Sequence, residues 1–117
     1  MQYMVLIYLD ENSITEEQRA KCYLDSAAYA RQLHAEGKCR SVAPLQPTLT
    51  ATSIRHHEGK QILTDGPFAE TREQLGGFFL IDAVNLDEAL EIAAKIPAGR
   101  WGTVEVRPVM EISGLPS

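Results

Sequence analysis

The residue best placed to move a proton is an aspartate at the end of an extended stretch, in the run Asp65-Gly66-Pro67-Phe68. Functional side chains gather on loops that leave a rigid sheet. A carboxylate partly buried beside Phe68 would be suited to general acid or base work. The same four residues also make sense as turn chemistry. Asp accepts backbone N–H bonds, Gly supplies conformational freedom, Pro sets φ, and Phe anchors the loop. The two readings are compatible, so Asp65 is a candidate catalytic residue and Phe68 a candidate ligand contact. Arg72, a few residues on, is a second candidate contact, because its planar fork suits an anionic ligand. Its alternative is a weak ion pair in a solvated loop.

Other reactive side chains offer less. His56-His57-Glu58 invites a metal, but neighbouring strand residues point to opposite faces, and no third ligand is evident. An exposed hairpin tip is the simpler expectation. His34 falls late in a helix, where it suits the dipole. Cys22 and Cys39 have neither CxxC nor metal-ligand spacing and read as free thiols of a reducing compartment. Trp101 either packs the base of the last strand or lines a cleft with Phe68. Phosphate-loop, GxSxG and zinc signatures are missing from the sequence, so neither cofactor nor metal is expected.

Composition narrows the classes further. The chain has 117 residues, 44% apolar and 23% charged, the profile of one ordinary globular domain. Its net charge is −5 and its basic residues form no stripe, which argues against nucleic-acid binding. The apolar N-terminus is too short to span a bilayer and lacks the cationic start and cleavage site of a signal peptide. A cytoplasmic protein is expected.

The elements that must position these residues follow from pattern. Residues 3–9 are apolar without a break and read as a buried strand. Thr15 and Gln18 have capping-box spacing and open a helix over Glu16–Glu36, with an expected stripe of Ala20, Tyr23, Leu24, Ala27, Ala28 and Leu33. Extended stretches are expected at 40–46, 51–57 and 60–64, the last two joined by the hairpin signal Glu58-Gly59. Leu75–Asp82 is a further strand, and Gly76-Gly77 suggests a bulge or close backbone approach. Asn85 with Glu88 caps a second helix, its stripe being Leu86, Ala89, Leu90, Ala93 and Ile96, and Pro97 ends it. The last strand runs from Thr103 to Met110. Residues 1–112 are read as one domain and 113–117 as a loose tail.

The order β-α-β-(hairpin)-β-α-β is an α+β, ferredoxin-like plan: an antiparallel sheet, order 4-1-3-2 without the hairpin, with two helices on one face. Tyr3–Leu9 and Phe78–Ile81 are apolar at odd and even positions alike. Two helices cover one face, so the other would leave an apolar patch larger than a soluble monomer usually shows. A homodimer packed through that sheet face is expected.

The run from Thr64 to Phe78, together with Leu45-Gln46-Pro47, Asp87-Glu88-Ala89 and Gly102-Thr103-Val104-Glu105-Val106-Arg107-Pro108, resembles the DGPF branch of the YCII-related family. The resemblance implies a ferredoxin-like domain that pairs into a dimeric α/β barrel. It also implies a bacterial protein often encoded beside sigma factors of the extracytoplasmic-function type. Wider relatives resemble small-molecule lyases and dehydrochlorinases with a His–Asp pair in the cleft. This chain departs from that pattern, since its first helix has no histidine before His34. The leading expectation is a dimer with a small-molecule pocket near the DGPF loop and lyase- or hydrolase-like acid–base chemistry carried by Asp65. The alternative is a non-catalytic ligand-sensing or accessory module of a sigma-factor system.

Overall fold

A computed structural model describes residues 1–116. Six strands and two helices follow the expected order. They are β1 (Gln2–Leu9), α1 (Glu16–Ala35), β2 (Cys39–Pro44), β3 (Thr52–His57), β4 (Lys60–Asp65), β5 (Gln74–Asp82), α2 (Leu86–Ala94) and β6 (Gly102–Pro108). Four strands form one antiparallel sheet in the order β2-β5-β1-β6, which is the ferredoxin-like arrangement. β3 and β4 form a separate two-stranded ribbon. Its turn has positive φ at both central residues, Glu58 at 50° and Gly59 at 77°, the twist a two-residue hairpin needs.

Residue alternation decides what each sheet face meets. Tyr3, Val5 and Ile7 of β1 stand beside Ile81, Phe79 and Gly77 of β5, and all are buried. Cys22, Ala30 and Leu33 of α1 and Ala89, Ile92 and Ala93 of α2 complete one core cluster with them. Both helices therefore serve the same face. The opposite face carries Met4 and Leu6 beside Leu80 and Phe78, all half-buried.

The buried side of α1 differs from the expected stripe. Leu33 is buried as expected, but Tyr23 and Leu24 are exposed at 45% and 73%, and Cys22 and Ala30 turn inward in their place. Half-buried Tyr29 explains the rotation. Its hydroxyl donates to the Ile92 carbonyl at 2.8 Å and its ring lies 6.5 Å from Phe79, so it ties α1 to α2 and to the sheet. In α2, Ala89, Ala93 and Ile96 are buried as expected, but Leu86 and Leu90 are both 47% exposed and Ile92 takes their place. The capping residues act as read: Thr15 and Gln18 form the reciprocal box, and Asn85 accepts from the Glu88 amide.

The Gly76-Gly77 pair serves both purposes expected of it. The register between β1 and β5 slips at Ile7/Tyr8, so that Gly76 is the extra residue of a bulge. A Cβ on Gly77 would come within 3.0 Å of the Ala43 carbonyl oxygen. Trp101 is half-buried and packs on the core near the last strand. Residues 113–116 are exposed and lie outside helix and strand, and the final residue of the expected tail falls outside the described residues. No helix among the described residues is long and apolar enough to cross a membrane.

Phe79 is 1% exposed at the centre of the core. Truncation to alanine deletes contacts that the surrounding sheet and helices can only partly refill. Urea denaturation of Phe79→Ala is expected to show a loss of about 3–5 kcal/mol.

Candidate functional site

The site is organised where β1 ends. Two consecutive acids leave that strand, and each holds a different loop. The Asp10 carboxylate accepts the Asn12 amide at 3.0 Å and the Ser13 hydroxyl at 2.8 Å, closing a short 3₁₀ turn. It also receives Arg72 Nε at 3.3 Å. The Ser13 hydrogen bond, then the Asn12 amide and the Arg72 guanidinium, hold this carboxyl below the usual aspartate value. Glu11 grips the β2–β3 loop with both oxygens, accepting the Thr48 amide and the Thr48 hydroxyl, each at 2.9 Å.

These two loops are the walls of a cleft of about 600 Å³, within the range of small-molecule pockets. One wall is the β2–β3 segment, from Leu45 to Ala51. The other contains Pro67, Phe68, Ala69 and Thr71. Hydrogen bonds fasten the base of that second loop. The Gly66 amide donates to the Ala51 carbonyl at 2.7 Å, and the Ser53 hydroxyl donates to the Gly66 carbonyl at 2.7 Å. Gly66 sits at φ +103°, a conformation that L side chains rarely adopt, which accounts for the glycine after Asp65. Gln74 then spans the loop from inside, its amide nitrogen donating to the Ala69 and Thr71 carbonyls at 3.0 Å each.

The cleft meets the uncovered side of the main sheet at Tyr8 and Leu75, which pair across β1 and β5. Tyr8 follows Met4 and Leu6 on that face and ends it in a hydroxyl. The hydroxyl donates to Glu105 of β6 at 3.1 Å. Burial pushes the Tyr8 phenol up, and the bond to Glu105 adds to the shift, so the proton stays on at neutral pH. Behind it, β6 passes very close to β1. A Cβ on Gly102 would lie 1.9 Å from the Tyr8 carbonyl oxygen, so only glycine fits there.

The residues singled out from sequence are divided between two neighbouring places. Phe68 lines the cleft and is 84% exposed. Asp65 and Arg72 line a shallower depression beside it, which shares Thr48, Pro67, Thr71 and Gln74 with the cleft. The expectation of a partly buried Asp65 beside Phe68 is therefore corrected: Asp65 is exposed. The physical reason is its position on the β3–β4 ribbon, which stands apart from the main sheet. No hydrogen bond engages the Asp65 side chain among the described residues, whereas Arg72 is paired with Asp10. None of the three histidines lines the cleft. His56 and His57 are exposed on the ribbon, and His34 Nδ1 lies 3.3 Å from the Cys39 carbonyl oxygen. Both cysteines are buried free thiols, pushed up by that burial.

Tyr8 and Glu73 in the lining, and Asp10 and Glu11 behind its loops, are not singled out by the sequence pattern. Glu73 lines the cleft and accepts the Thr103 hydroxyl at 2.6 Å. Sequence carried one usable signal: two acids directly after a core strand and ahead of a helix cap.

Comparison with known proteins agrees with this architecture. The model of the YCII-related domain matches residues 1–113. An uncharacterised protein of Rhizobium meliloti (strain 1021) is 43% identical over 114 residues, covering 93% of this chain and 92% of its own length. Among solved structures, the 5-chloro-2-hydroxyhydroquinone dehydrochlorinase of Burkholderia phenoliruptrix AC1100, in complex with 2,5-dihydroxybenzoquinone, superposes with a TM-score of 0.56. That likeness covers 94% of both chains at 18% identity, and it shows a shared fold.

Asp10→Asn removes the charge that holds Arg72 and is expected to speed hydrogen exchange of amides 71–74. Because the Asp10 carboxyl is depressed in the folded protein, its support is complete above the ordinary aspartate value and is lost as pH falls through the folded one. Wild-type protein should therefore show the same loosening only in acid, below the usual aspartate range.

Proposed function

The chain belongs to the YCII-related family, and we propose that it is a homodimer whose clefts beside the DGPF loops bind a small molecule and support lyase- or hydrolase-like acid–base chemistry. The observation that carries this reading is the cleft itself: about 600 Å³, walled by the DGPF loop and open toward the half-buried sheet face. Met4, Leu6, Phe78 and Leu80 form an apolar surface that the chain's own helices leave uncovered. A second copy packed on it would remove that surface from water and close the cleft at Tyr8 and Leu75. Two buried free thiols fit work in the cytoplasm.

Within this proposal Phe68 supplies an apolar contact and Arg72 borders the entrance. Asp65 is the proton carrier at the rim, since its carboxylate is exposed and holds no internal hydrogen bond. The dehydrochlorinase of like fold lends support to elimination as a reaction class. A second reading, a non-catalytic ligand-sensing module, is favoured by one observation: no histidine lines the cleft.

Equilibrium sedimentation at micromolar concentration should give twice the chain mass, and Leu6→Asp should return it to the chain mass. A wild-type monomer would remove the dimer from the proposal. For chemistry, chloride release from 5-chloro-2-hydroxyhydroquinone is the first assay. Loss of a general acid or base should lower the rate by roughly 10²–10⁴-fold in Asp65→Asn. An unchanged rate in that variant would take Asp65 out of the mechanism. Saturable binding without chloride release would decide for the sensing module.

A further inference from the structure

The side-chain hydrogens around the cleft are committed to the protein itself. The Tyr8 hydroxyl donates to Glu105 at 3.1 Å, and the Thr48 hydroxyl donates to Glu11 at 2.9 Å. Thr50 donates to the Pro47 carbonyl at 2.7 Å, Ser53 to the Gly66 carbonyl at 2.7 Å, and Thr71 to the Glu73 carbonyl at 2.6 Å. Both amide hydrogens of Gln74 are used on loop carbonyls. Among the described residues, the exposed amide of Gln46 is the one remaining side-chain donor in the lining.

What these groups leave toward the cavity is lone pairs. A hydroxyl engaged as a donor still accepts, and Gln74 keeps its carbonyl oxygen. Glu73, half-buried in the lining, uses one carboxylate oxygen on Thr103 and leaves the other. Among the described residues no lysine, arginine or histidine lines the cleft to offset that charge. Thr48 and Ser53 could turn to donate to a ligand only by leaving the part-buried Glu11 carboxylate or Gly66 carbonyl without that bond, and a buried acceptor left unpaired costs more than a new bond returns.

We infer that the cleft selects hydrogen-bond donors: it takes a small, largely apolar molecule bearing O–H or N–H groups, an alcohol or an ammonium, and rejects carboxylates. Glu73 gives the ammonium its added contact. This inference rests on the cleft being a binding site and specifies what that site reads.

A matched phenyl series tests it on the full chain at pH 7, with affinities read from amide chemical shifts of Tyr8, Thr48, Phe68 and Gln74. Benzylamine and benzyl alcohol should bind at least about tenfold more tightly than benzyl methyl ether and benzoate, the ratio that one good hydrogen bond sustains. In Glu73→Gln, which keeps an acceptor for Thr103, benzylamine should fall to the affinity of benzyl alcohol while the alcohol is unchanged. Benzoate or the ether binding as tightly as the donors would overturn donor selection and leave the cleft reading standing. Unchanged benzylamine affinity in Glu73→Gln would overturn the role of Glu73. Failure of all four probes to move any of these amides would overturn the cleft reading itself.

Discussion

Everything in this molecule depends on β1 being hydrogen-bonded along both edges and apolar on both faces. Its partners β5 and β6 fix its register, and its alternation sends Tyr3, Val5 and Ile7 one way and Met4 and Leu6 the other. One set is sealed under the two helices. The other is left to whatever lies beyond the chain. Hydrophobic burial is non-directional, but a strand's side-chain period of two is not. It divides the apolar residues into two separate surfaces, and this chain has helices for one.

The cleft is a consequence of how that strand ends. A rigid, doubly paired strand delivers Asp10 and Glu11 to a fixed position, and each then acts as an anchor for a loop far away in sequence. Thr48 lies 37 residues from Glu11, and Arg72 lies 62 from Asp10. Neither contact is buried deeply enough to contribute much to stability. Their effect is geometric, in holding apart two walls that would otherwise be free to collapse or swing.

The same hydrogen bonds that hold the walls also determine what the walls can recognise. Loops without regular structure lack a ladder partner for many backbone groups, and here side chains supply several. Thr50, Ser53, Thr71 and Gln74 donate to those carbonyls. A protein that uses its donors in this way presents acceptors to the interior of the cleft. Loop architecture and ligand chemistry are thus one property here, and the turn reading of the DGPF run does not compete with its role as a wall.

Much of the fold was legible in the sequence because its signals are local. The unbroken apolar runs of β1 and β5, the Thr15–Gln18 box, the Glu58-Gly59 turn and the Gly76-Gly77 bulge each depend on a few adjacent residues and elementary sterics. The buried side of α1 was not legible, because small and apolar residues lie around most of the helix and only the Tyr29 bond to α2 selects a face. The site was legible in part. The loops that carry Asp65, Phe68 and Arg72 were legible, since strand ends and turns announce themselves. Their division between a cleft and a rim, and the entry of Tyr8, Glu73, Asp10 and Glu11, came only with the tertiary structure. The sequence by itself determined the elements, their order and the two-faced central strands. The tertiary structure decided which loops meet and how Tyr8, Glu11, Arg72 and Glu73 are partnered, because those contacts join residues 30 to 97 positions apart and no local pattern encodes them.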